Sequence, residues 1–242
     1  MEIIKAENIG VKFKLHRERK STVKGVLASI LANERRKDRE FWALRSVSFC
    51  VQSGDVLGII GRNGSGKSTL LRVIGGIFVP DEGYLEVRGT VSTLLSITAG
   101  FQPELSGLEN IYLNGVLMGF KEREIDEVLD DIIEFSELGR FIEAPIKTYS
   151  SGMRARLGFS IAIHLRKDIM LIDEVLGVGD VKFRKKCEEK IKELMGEGRT
   201  IVLVSHNMES IKKFANKVIW LDKGTIRAQG TPSEVIEQYL RS

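Results

Sequence analysis

One stretch of eight residues limits what this chain can fold into more than any other feature. Residues 61–68 read Gly-Arg-Asn-Gly-Ser-Gly-Lys-Ser, which fits the pattern G-x-x-x-x-G-K-[ST]. The stretch follows the apolar run 56–60 and precedes a helical pattern over residues 67–77. A buried strand that enters a glycine-rich turn and then a helix is one βα unit of a parallel sheet. The chain is therefore predicted to be an α/β protein.

The same stretch, which we call the phosphate loop, predicts a site for phosphate groups. Its glycines let successive backbone N–H groups point inward around phosphate oxygens, and the helix N-terminus adds a partial positive charge. Lys67 would reach the β- and γ-phosphates of a nucleoside triphosphate, and the Ser68 hydroxyl would bind Mg²⁺. The nucleotide contacts predicted in and beside the loop are Gly61, Asn63, Gly64, Ser65, Gly66, Lys67, Ser68 and Thr69.

Two carboxylates follow a second apolar strand pattern, at residues 169–172. Asp173, at the end of this strand, can hold Mg²⁺ opposite Ser68, and Glu174 can polarise an attacking water. The alternative is an acidic N-cap of a helix, which is favourable in its own right. Because the pair comes about 100 residues after a phosphate loop, we interpret it as the metal and base site.

Two more features follow predicted elements. Residues 150–152, Ser-Ser-Gly, open a helix whose amides could bind an anion, and His206 comes just after the strand pattern 201–204. A single histidine is more often a structural hydrogen-bonding group than a catalytic one. His206 nevertheless stands at the carboxyl end of a predicted strand, where ligand sites of α/β sheets lie.

Composition excludes several classes of protein. Of the 242 residues, 43% are hydrophobic and 29% are charged, which excludes wholesale disorder and fibrous repeats. The two cysteines, Cys50 and Cys187, cannot form a disulfide framework, and no Cys/His cluster suggests zinc. The apolar runs are far shorter than the roughly 20 residues that cross a bilayer, and the first residues lack a signal-peptide core. We expect a chain made and kept in the cytoplasm.

Periodicity predicts alternating strands and helices with a helical block between residues 107 and 164. The predicted strands are 2–13, 44–52, 56–60, 84–87, 169–172 and 201–204, with a hairpin of 218–221 and 224–226. The predicted helices are 20–33, 67–77, 108–118, 122–135, 151–164 and 182–195, with a last one that begins at Pro232.

Taken together and in this order, the motifs resemble those of an ATP-binding cassette (ABC) ATPase subunit, over nearly the whole chain. The phosphate loop resembles the Walker A motif, and residues 169–174 resemble Walker B. Asp180 matches the D-loop aspartate and His206 the switch histidine of the family. Residues 149–153, Tyr-Ser-Ser-Gly-Met, match the middle of the signature motif usually written LSGGQ.

The resemblance implies one ABC ATPase domain over residues 1–242. Its expected fold is a P-loop NTPase (RecA-like) core with an antiparallel β subdomain and an inserted α-helical subdomain at about residues 100–165. The cofactors implied are ATP and Mg²⁺, and the chain is expected to form a homodimer with ATP held between the two copies. The catalytic residues implied are Lys67, Glu174 and His206. Ser150 and Gly152 of the other copy would cap the γ-phosphate, and Ser151 and Asp180 are further nucleotide-binding residues implied by the motifs.

Departures from the family pattern narrow the resemblance. The signature has Tyr149 for leucine, Ser151 for the first glycine and Met153 for glutamine, so one nucleotide contact of the glutamine is in doubt. Walker B continues Val-Leu-Gly-Val-Gly-Asp after Glu174. With the stretches Gly-Phe-Gln-Pro-Glu-Leu-Ser-Gly and Glu-Asn-Ile-Tyr between residues 100 and 112, these variants resemble exporters of bacterial cell-surface polysaccharide. That subfamily serves O-antigen, capsule and wall teichoic acid.

Two further assignments by resemblance have open alternatives. Gln102 lies 35 residues after Lys67, where the family has its Q-loop glutamine, which would sense Mg²⁺ and water; it could equally be a surface loop residue. Phe13 stands where the family has an aromatic residue that stacks on adenine. Phe41 and Trp42 compete for that role, and Phe13 could equally be a core residue at a strand end.

Residues 14–41 form a basic insert with an amphipathic helical pattern. Between residues 12 and 39 there are ten Lys or Arg and three Asp or Glu, a net charge of +7, against +4 for the whole chain. Such a helix can lie on an anionic bilayer, approach the channel mouth near a lipid-linked pyrophosphate, or simply pack on its own domain. We favour a membrane or partner role.

The expected function is ATP hydrolysis that drives export of a lipid-linked, O-antigen-like polysaccharide across the cytoplasmic membrane. A separate multi-span permease would supply the pore, and this chain would lie at the cytoplasmic face of the inner membrane as a peripheral subunit. The alternatives are an ABC subunit for another substrate, or an ABC ATPase that acts on nucleic acid or ribosomes. No nucleic-acid partner is expected, because the insert offers an apolar face rather than interleaved aromatic residues.

Overall fold

A computed structural model describes residues 1–15, 39–93, 100–173 and 179–242 of the chain. The strands are β1 (Glu2–Leu15), β2 (Arg39–Gln52), β3 (Val56–Ile60), β4 (Glu82–Val87), β5 (Val91–Thr93), β6 (Ile169–Asp173), β7 (Thr200–Val204), β8 (Lys217–Asp222) and β9 (Thr225–Gly230). The helices are α1 (Lys67–Ile74), α2 (Gly107–Leu117), α3 (Glu122–Asp126), α4 (Leu129–Ser136), α5 (Ser151–His164), α6 (Val181–Gly196), α7 (Met208–Phe214) and α8 (Pro232–Leu240). Short 3-10 helices cover Gly139–Glu143 and Ile146–Thr148.

The larger sheet carries the parallel βα unit that the sequence predicts. Its strand order is β5-β6-β7-β3-β8-β9, and every neighbouring pair is parallel except the hairpin of β8 and β9. All five residues of β3 and of β7 are buried, so these central strands are covered on both faces. This burial explains why the two strands are continuous apolar runs rather than alternating ones.

The smaller sheet is antiparallel, with the order β2-β1-β4. Its long ladder runs from the pair Glu2 and Gln52 to the pair Leu15 and Arg39. Residues 14, 15 and 39 to 41 of the predicted insert therefore belong to paired strands. The rest of the insert, with the helix predicted at residues 20–33, lies outside the described residues.

The helices between residues 107 and 164, which we call the helical group, differ from the prediction at one point. The single helix predicted over residues 122–135 is wrong, because the chain breaks between α3 and α4 at Val128, whose φ is −122°. Tertiary packing overrides the helical period here: α3 packs on α2, whereas α4 packs on α5.

Three smaller differences have local causes. Helix α1 ends at Ile74 rather than at residue 77, because Gly75 and Gly76 follow and Gly76 takes a left-handed φ of +71°. Strand β5 and helix α7 were too short for periodicity to reveal them. Helix α7 begins where the Asn207 side chain accepts hydrogen bonds from the backbone of Glu209 and Ser210.

Buried apolar side chains form three clusters in the described parts of the chain. One lies between the two sheets and includes α1, and a second covers the other face of the larger sheet under α5, α6 and α8. The third belongs to the helical group, with Ile125, Ile132 and Leu157 among its fully buried members. Within the described ranges, no helix has both the length and the hydropathy that crossing a bilayer requires.

Gly83 supplies a test of the antiparallel sheet. Its φ is +85°, and a Cβ there would lie 2.3 Å from the Glu7 carbonyl oxygen. We expect Gly83→Ala to lower the free energy of unfolding by more than about 1 kcal/mol in urea titrations, because neither the dihedral angle nor the backbone contact can relax. Gly196→Ala is the control, since a Cβ there meets nothing within 4 Å. Equal stability of the two variants would contradict this account.

Candidate nucleotide-binding site

The phosphate loop leaves the carboxyl end of β3 and enters α1, as predicted. All three of its glycines, Gly61, Gly64 and Gly66, have φ between 78° and 150°. A Cβ at Gly61 would lie 2.2 Å from the Leu221 carbonyl oxygen, and one at Gly66 would lie 2.6 Å from the Ala43 carbonyl oxygen. The loop therefore fits between β2 and β8 only with glycine at these two positions.

The turn of the predicted hairpin, between β8 and β9, holds the loop from the side, a contact that the sequence did not indicate. The Gly224 N–H donates to the Ser65 carbonyl oxygen at 2.9 Å, and the Arg45 N–H donates to the Gly224 carbonyl oxygen at 2.8 Å. Three segments far apart in sequence thus form one hydrogen-bonded set around the loop. The left-handed Lys223-Gly224 turn is a recognisable hairpin signal, but nothing in it indicates which loop it contacts.

Lys67 is almost fully buried, with 6% of its surface exposed. Its ammonium group donates to the carbonyl oxygens of Gly61 at 2.8 Å and Arg62 at 3.1 Å. These bonds fold the side chain back over the loop, so the charge lies at the mouth of the glycine cradle. Of the other predicted contacts, Asn63 and Gly64 are exposed and Thr69 is half-buried.

The structure brings Ser68 and Asp173 together, although 105 residues separate them. The Ser68 hydroxyl donates to Asp173 Oδ2 at 3.3 Å. Strand β6 ends at Asp173, which pairs with Val204 at the end of β7, and β7 lies beside β3. His206 is exposed two residues beyond Val204, at the same edge of the sheet. Glu174 lies outside the described residues.

Signature residues 150–152 lie at the N-terminus of α5, in a different place from the phosphate loop. The Ser150 hydroxyl caps this helix by accepting a hydrogen bond from the Met153 N–H at 3.1 Å. Beside it is an open cavity of about 570 Å³. Its lining in the described part of the chain is Glu137, Leu138, Phe141, Ser150, Ser151, Gly152, Met153, Arg156, Gly179 and Asp180.

Tyr149, which replaces the usual leucine of the signature, has a structural explanation. Its side chain is buried, and its hydroxyl donates to the Phe141 carbonyl oxygen at 2.5 Å. Burial raises the pKa of Tyr149 above its usual value, so the hydroxyl keeps the proton that it donates. Gly107 makes room for it, because a Cβ there would lie 2.3 Å from the hydroxyl oxygen.

Arg156, not singled out from the sequence, joins the two sides of the signature cavity. Its guanidinium contacts Asp180 Oδ2 at 2.5 Å and Glu137 Oε2 at 3.0 Å. The pKa of Asp180 lies below its usual range. The main cause is the hydrogen bond from the Phe183 N–H, and the positive charge of Arg156 lowers it further. Burial acts to raise the pKa of Glu137, but a hydrogen bond from Lys186 and the nearby charges lower it. Both carboxylates are therefore negative at neutral pH.

Gln102 and Phe13 both lie at the surface of the described chain. Gln102 is exposed, and its backbone N–H and carbonyl oxygen both bond to Asn110. Phe13 is 39% exposed and packs edge-on against Phe78, with ring centroids 5.7 Å apart. The Phe13 ring and the Gln102 side chain are therefore both accessible at the surface.

The donor set fits a magnesium nucleotide. Mg²⁺ is usually bound through one or two carboxylates and the phosphates of the substrate, with waters completing the octahedron. The Ser68 hydroxyl and Asp173 carboxylate supply two hard oxygen donors beside the loop. The loop, in which Gly61 and Gly66 leave no room for a Cβ beside neighbouring backbone, is of the glycine-rich kind that suits phosphate oxygens.

Comparison with known proteins agrees with this geometry. The sequence model of a family described as ABC transporter matches residues 44–177. Teichoic acids export ATP-binding protein TagH of Lactococcus lactis subsp. lactis (strain IL1403) is 48% identical over 236 residues, which are 98% of this chain and 50% of that protein. O-antigen export system ATP-binding protein RfbB of Klebsiella pneumoniae is 45% identical over 203 residues, 84% of this chain and 82% of that protein.

The chain spans about half the length of the Lactococcus relative and 42% of TagH of Bacillus anthracis. Among solved structures, the ATP-binding cassette MJ0796 in a dimeric post-hydrolysis state bound to ADP and Pi has a TM-score of 0.75. It is 22% identical and covers 95% of this chain, while the match covers 98% of that structure. The predicted α/β P-loop fold of ABC ATPase architecture is thereby confirmed, and the chain belongs to the ABC transporter family.

Proposed function

We propose that this chain is the ATP-hydrolysing subunit of an ABC exporter that moves a lipid-linked, O-antigen-like cell-surface polysaccharide across the cytoplasmic membrane. Support for the substrate class comes from relatives of 40–48% identity that are named as ATP-binding proteins of teichoic acid and O-antigen export. The observation that carries the ATPase activity is the contact between Ser68 and Asp173 at the mouth of the phosphate loop.

The residues of the phosphate loop and of the adjacent ends of β6 and β7 each have a part in the proposed reaction. The loop amides and Lys67 bind and orient the β- and γ-phosphates, and Ser68 and Asp173 hold Mg²⁺, which neutralises charge on the phosphate oxygens when bound. The Glu174 carboxylate accepts a proton from the attacking water. His206, two residues beyond the end of β7, donates to the oxygens on which negative charge grows.

We further propose a head-to-tail homodimer in which each ATP lies between two copies. Supporting this, the signature cavity in the described chain is lined by eight residues between 137 and 156, by residues 179 and 180, and by none of the phosphate loop. An ATP bound by the loop of one copy would therefore meet Ser150, Ser151, Gly152 and Asp180 of the other. Binding would close the dimer and hydrolysis would loosen it, which is a switch that can drive a membrane partner.

The remaining assignments extend the same proposal. Gln102 would sense Mg²⁺ and water, and Phe13 would stack on adenine, beside contacts from Asn63 and Thr69. Residues 1–242 would form one ATPase domain, with a helical subdomain at about 100–165. A separate multi-span permease would be the partner, and this chain would lie at the cytoplasmic face of the inner membrane, where the basic insert could meet lipid or permease.

Replacing the proposed base gives a direct test of hydrolysis. We expect Glu174→Gln to lower kcat by about 10²–10⁴-fold while leaving ATP binding intact, because the amide cannot accept the proton from water. The measurements are phosphate release and fluorescent-ATP titration. Glu189→Gln on the exposed face of α6 is the matched control and should keep wild-type activity. Equal rates for both variants would rule out Glu174 as the base.

Mixing two inactive variants tests whether one ATP needs two copies. Lys67→Ala disables the loop, and Gly152→Asp places a carboxylate against the γ-phosphate; a Cβ at Gly152 meets nothing closer than Ser150 Oγ at 3.7 Å, so the fold should survive. In a one-to-one mixture, mixed dimers have one intact composite site, so we expect roughly a quarter of wild-type ATPase activity to return. No recovery, with dimers still formed, would contradict the shared site.

Capture from membranes tests the transport role. We expect the Glu174→Gln chain, loaded with ATP, to recover a multi-span membrane protein from detergent-solubilised native membranes, because blocked hydrolysis keeps the closed dimer on its partner. The Lys67→Ala chain is the control that should recover much less. Recovery of ribosomes or nucleic acid in place of a membrane protein would reject the exporter and leave the ATPase site unaffected.

A further inference from the structure

Asn110, on α2, is fully buried. Both polar atoms of its side chain form hydrogen bonds with the backbone of one loop. Its Oδ1 accepts the Gln102 N–H at 2.8 Å. Its Nδ2 lies within hydrogen-bond distance of the carbonyl oxygens of Gln102, Leu105 and Ser106, at 3.1, 3.1 and 2.8 Å. Only an amide offers an acceptor and two donors together, so neither a carboxylate nor a hydroxyl could replace it. Asn110 thereby closes residues 102–106, which we call the Gln102 loop.

The Gln102 loop is also bonded to residues 144–150, the stretch that leads into the signature motif and that we call the signature segment. The Ile146 N–H donates to the Leu105 carbonyl oxygen, and the Lys147 N–H donates to the Pro103 carbonyl oxygen, each at 2.9 Å. These bonds join two surface stretches that are about 40 residues apart in sequence. Their relative position is therefore set by directed bonds and not only by apolar packing.

Tyr149 links the signature motif itself to α2 and to Phe141. Its hydroxyl passes over Gly107, in the first turn of α2, to reach the Phe141 carbonyl oxygen. The residue after Tyr149 is Ser150, which caps α5. A continuous set of hydrogen bonds and close contacts thus runs from the backbone of Gln102, through Asn110 and the signature segment, to Ser150.

We propose that Asn110 is a positioning residue that makes the Gln102 loop and the signature segment one rigid unit. When a nucleotide bound to the phosphate loop displaces Gln102, this unit passes the displacement to Ser150. Ser150 in turn contacts the second nucleotide, which is bound to the phosphate loop of the partner copy. The account of what Gln102 and Ser150 touch rests on the proposed function. The rigid unit itself rests only on the bonds described above, so the two can be tested separately.

This role gives Asn110 a kinetic signature that a purely structural residue would lack. The phosphate loop is built by β3, α1, β2 and the Gly224 turn. The side-chain hydrogen bonds of Asn110 in the described chain all go to the Gln102 loop, so the first encounter with ATP should be unaffected. What should change is the step in which Gln102 and Ser150 must both be in place. A loss of alignment without loss of binding lowers kcat and leaves KM nearly constant.

The experiment compares Asn110→Ala with Ser136→Ala in the full chain. Ser136 is also fully buried in the helical group, and its hydroxyl donates to the Ile133 carbonyl oxygen at 2.8 Å, far from the Gln102 loop in the chain. Tyr149→Phe is a milder second variant, since it removes only the hydroxyl. Amide hydrogen exchange of Gln102, Ile146 and Lys147 is measured without nucleotide, and ATPase kinetics are measured in parallel.

We expect Asn110→Ala to speed exchange of those three amides about tenfold to a hundredfold, because the loop loses a buried partner, and Ser136→Ala to leave them unchanged. We also expect kcat to fall about tenfold or more with KM within about threefold in Asn110→Ala. Tyr149→Phe should change the same quantities in the same direction by less. If Asn110→Ala does not fold, Tyr149→Phe alone decides.

Two outcomes would overturn the inference. If amide exchange is unchanged in Asn110→Ala, or in Tyr149→Phe when only that variant folds, the two stretches do not form a rigid unit. If exchange is faster but kcat stays at the wild-type value, the rigid unit has no role in coupling Gln102 to Ser150. An inactive wild-type chain would instead reject the proposed ATPase function, while the exchange rates would still decide whether Asn110 joins the two stretches.

Discussion

The candidate site depends on the close approach of two glycines to neighbouring strands. A Cβ at Gly61 or Gly66 would lie within 2.6 Å of a backbone carbonyl oxygen, one on β8 and one on β2. The phosphate loop is therefore held in a slot whose walls come from distant parts of the chain. Because neighbouring strands already hold the loop backbone in place, less binding energy is needed to order it around a ligand. The antiparallel sheet thus helps to hold the candidate nucleotide site, through Ala43 and Arg45 of β2.

Helix α5 connects this core to the signature. Phe159 and Ile163 belong to the apolar cluster under the larger sheet, whereas Leu157 and Ile161 belong to the cluster of the helical group. Because α5 is close-packed against both clusters, a change in its position affects the packing of both. Its N-terminus carries Ser150, and its capping segment is bonded to the Gln102 loop. The helical group therefore holds both the Gln102 loop and the signature segment. Ser68 and Asp173 are instead held at the edge of the larger sheet.

Local patterns predicted most elements of the fold, and for physical reasons. Strands β3 and β7 are buried on both faces and read as apolar runs, and α8 begins at Pro232 after a Thr231 cap that also satisfies Glu234. The errors arose where local and tertiary preferences disagree. Residues 122–135 have a helical period, yet the chain breaks at Val128 so that α3 and α4 can pack on different helices. Short elements such as β5 carry too little periodic signal to be found.

The sequence by itself determined the family, the α/β class and the residue types of the site, because glycine, lysine, serine and carboxylate chemistry is local to each motif. Only the tertiary structure decided that the Gly224 turn braces the phosphate loop, that Tyr149 reaches across Gly107, and that Asn110 joins Gln102 to the signature segment. These contacts join residues far apart in the chain. Which distant groups meet depends on how whole elements pack, and no local period or spacing encodes that.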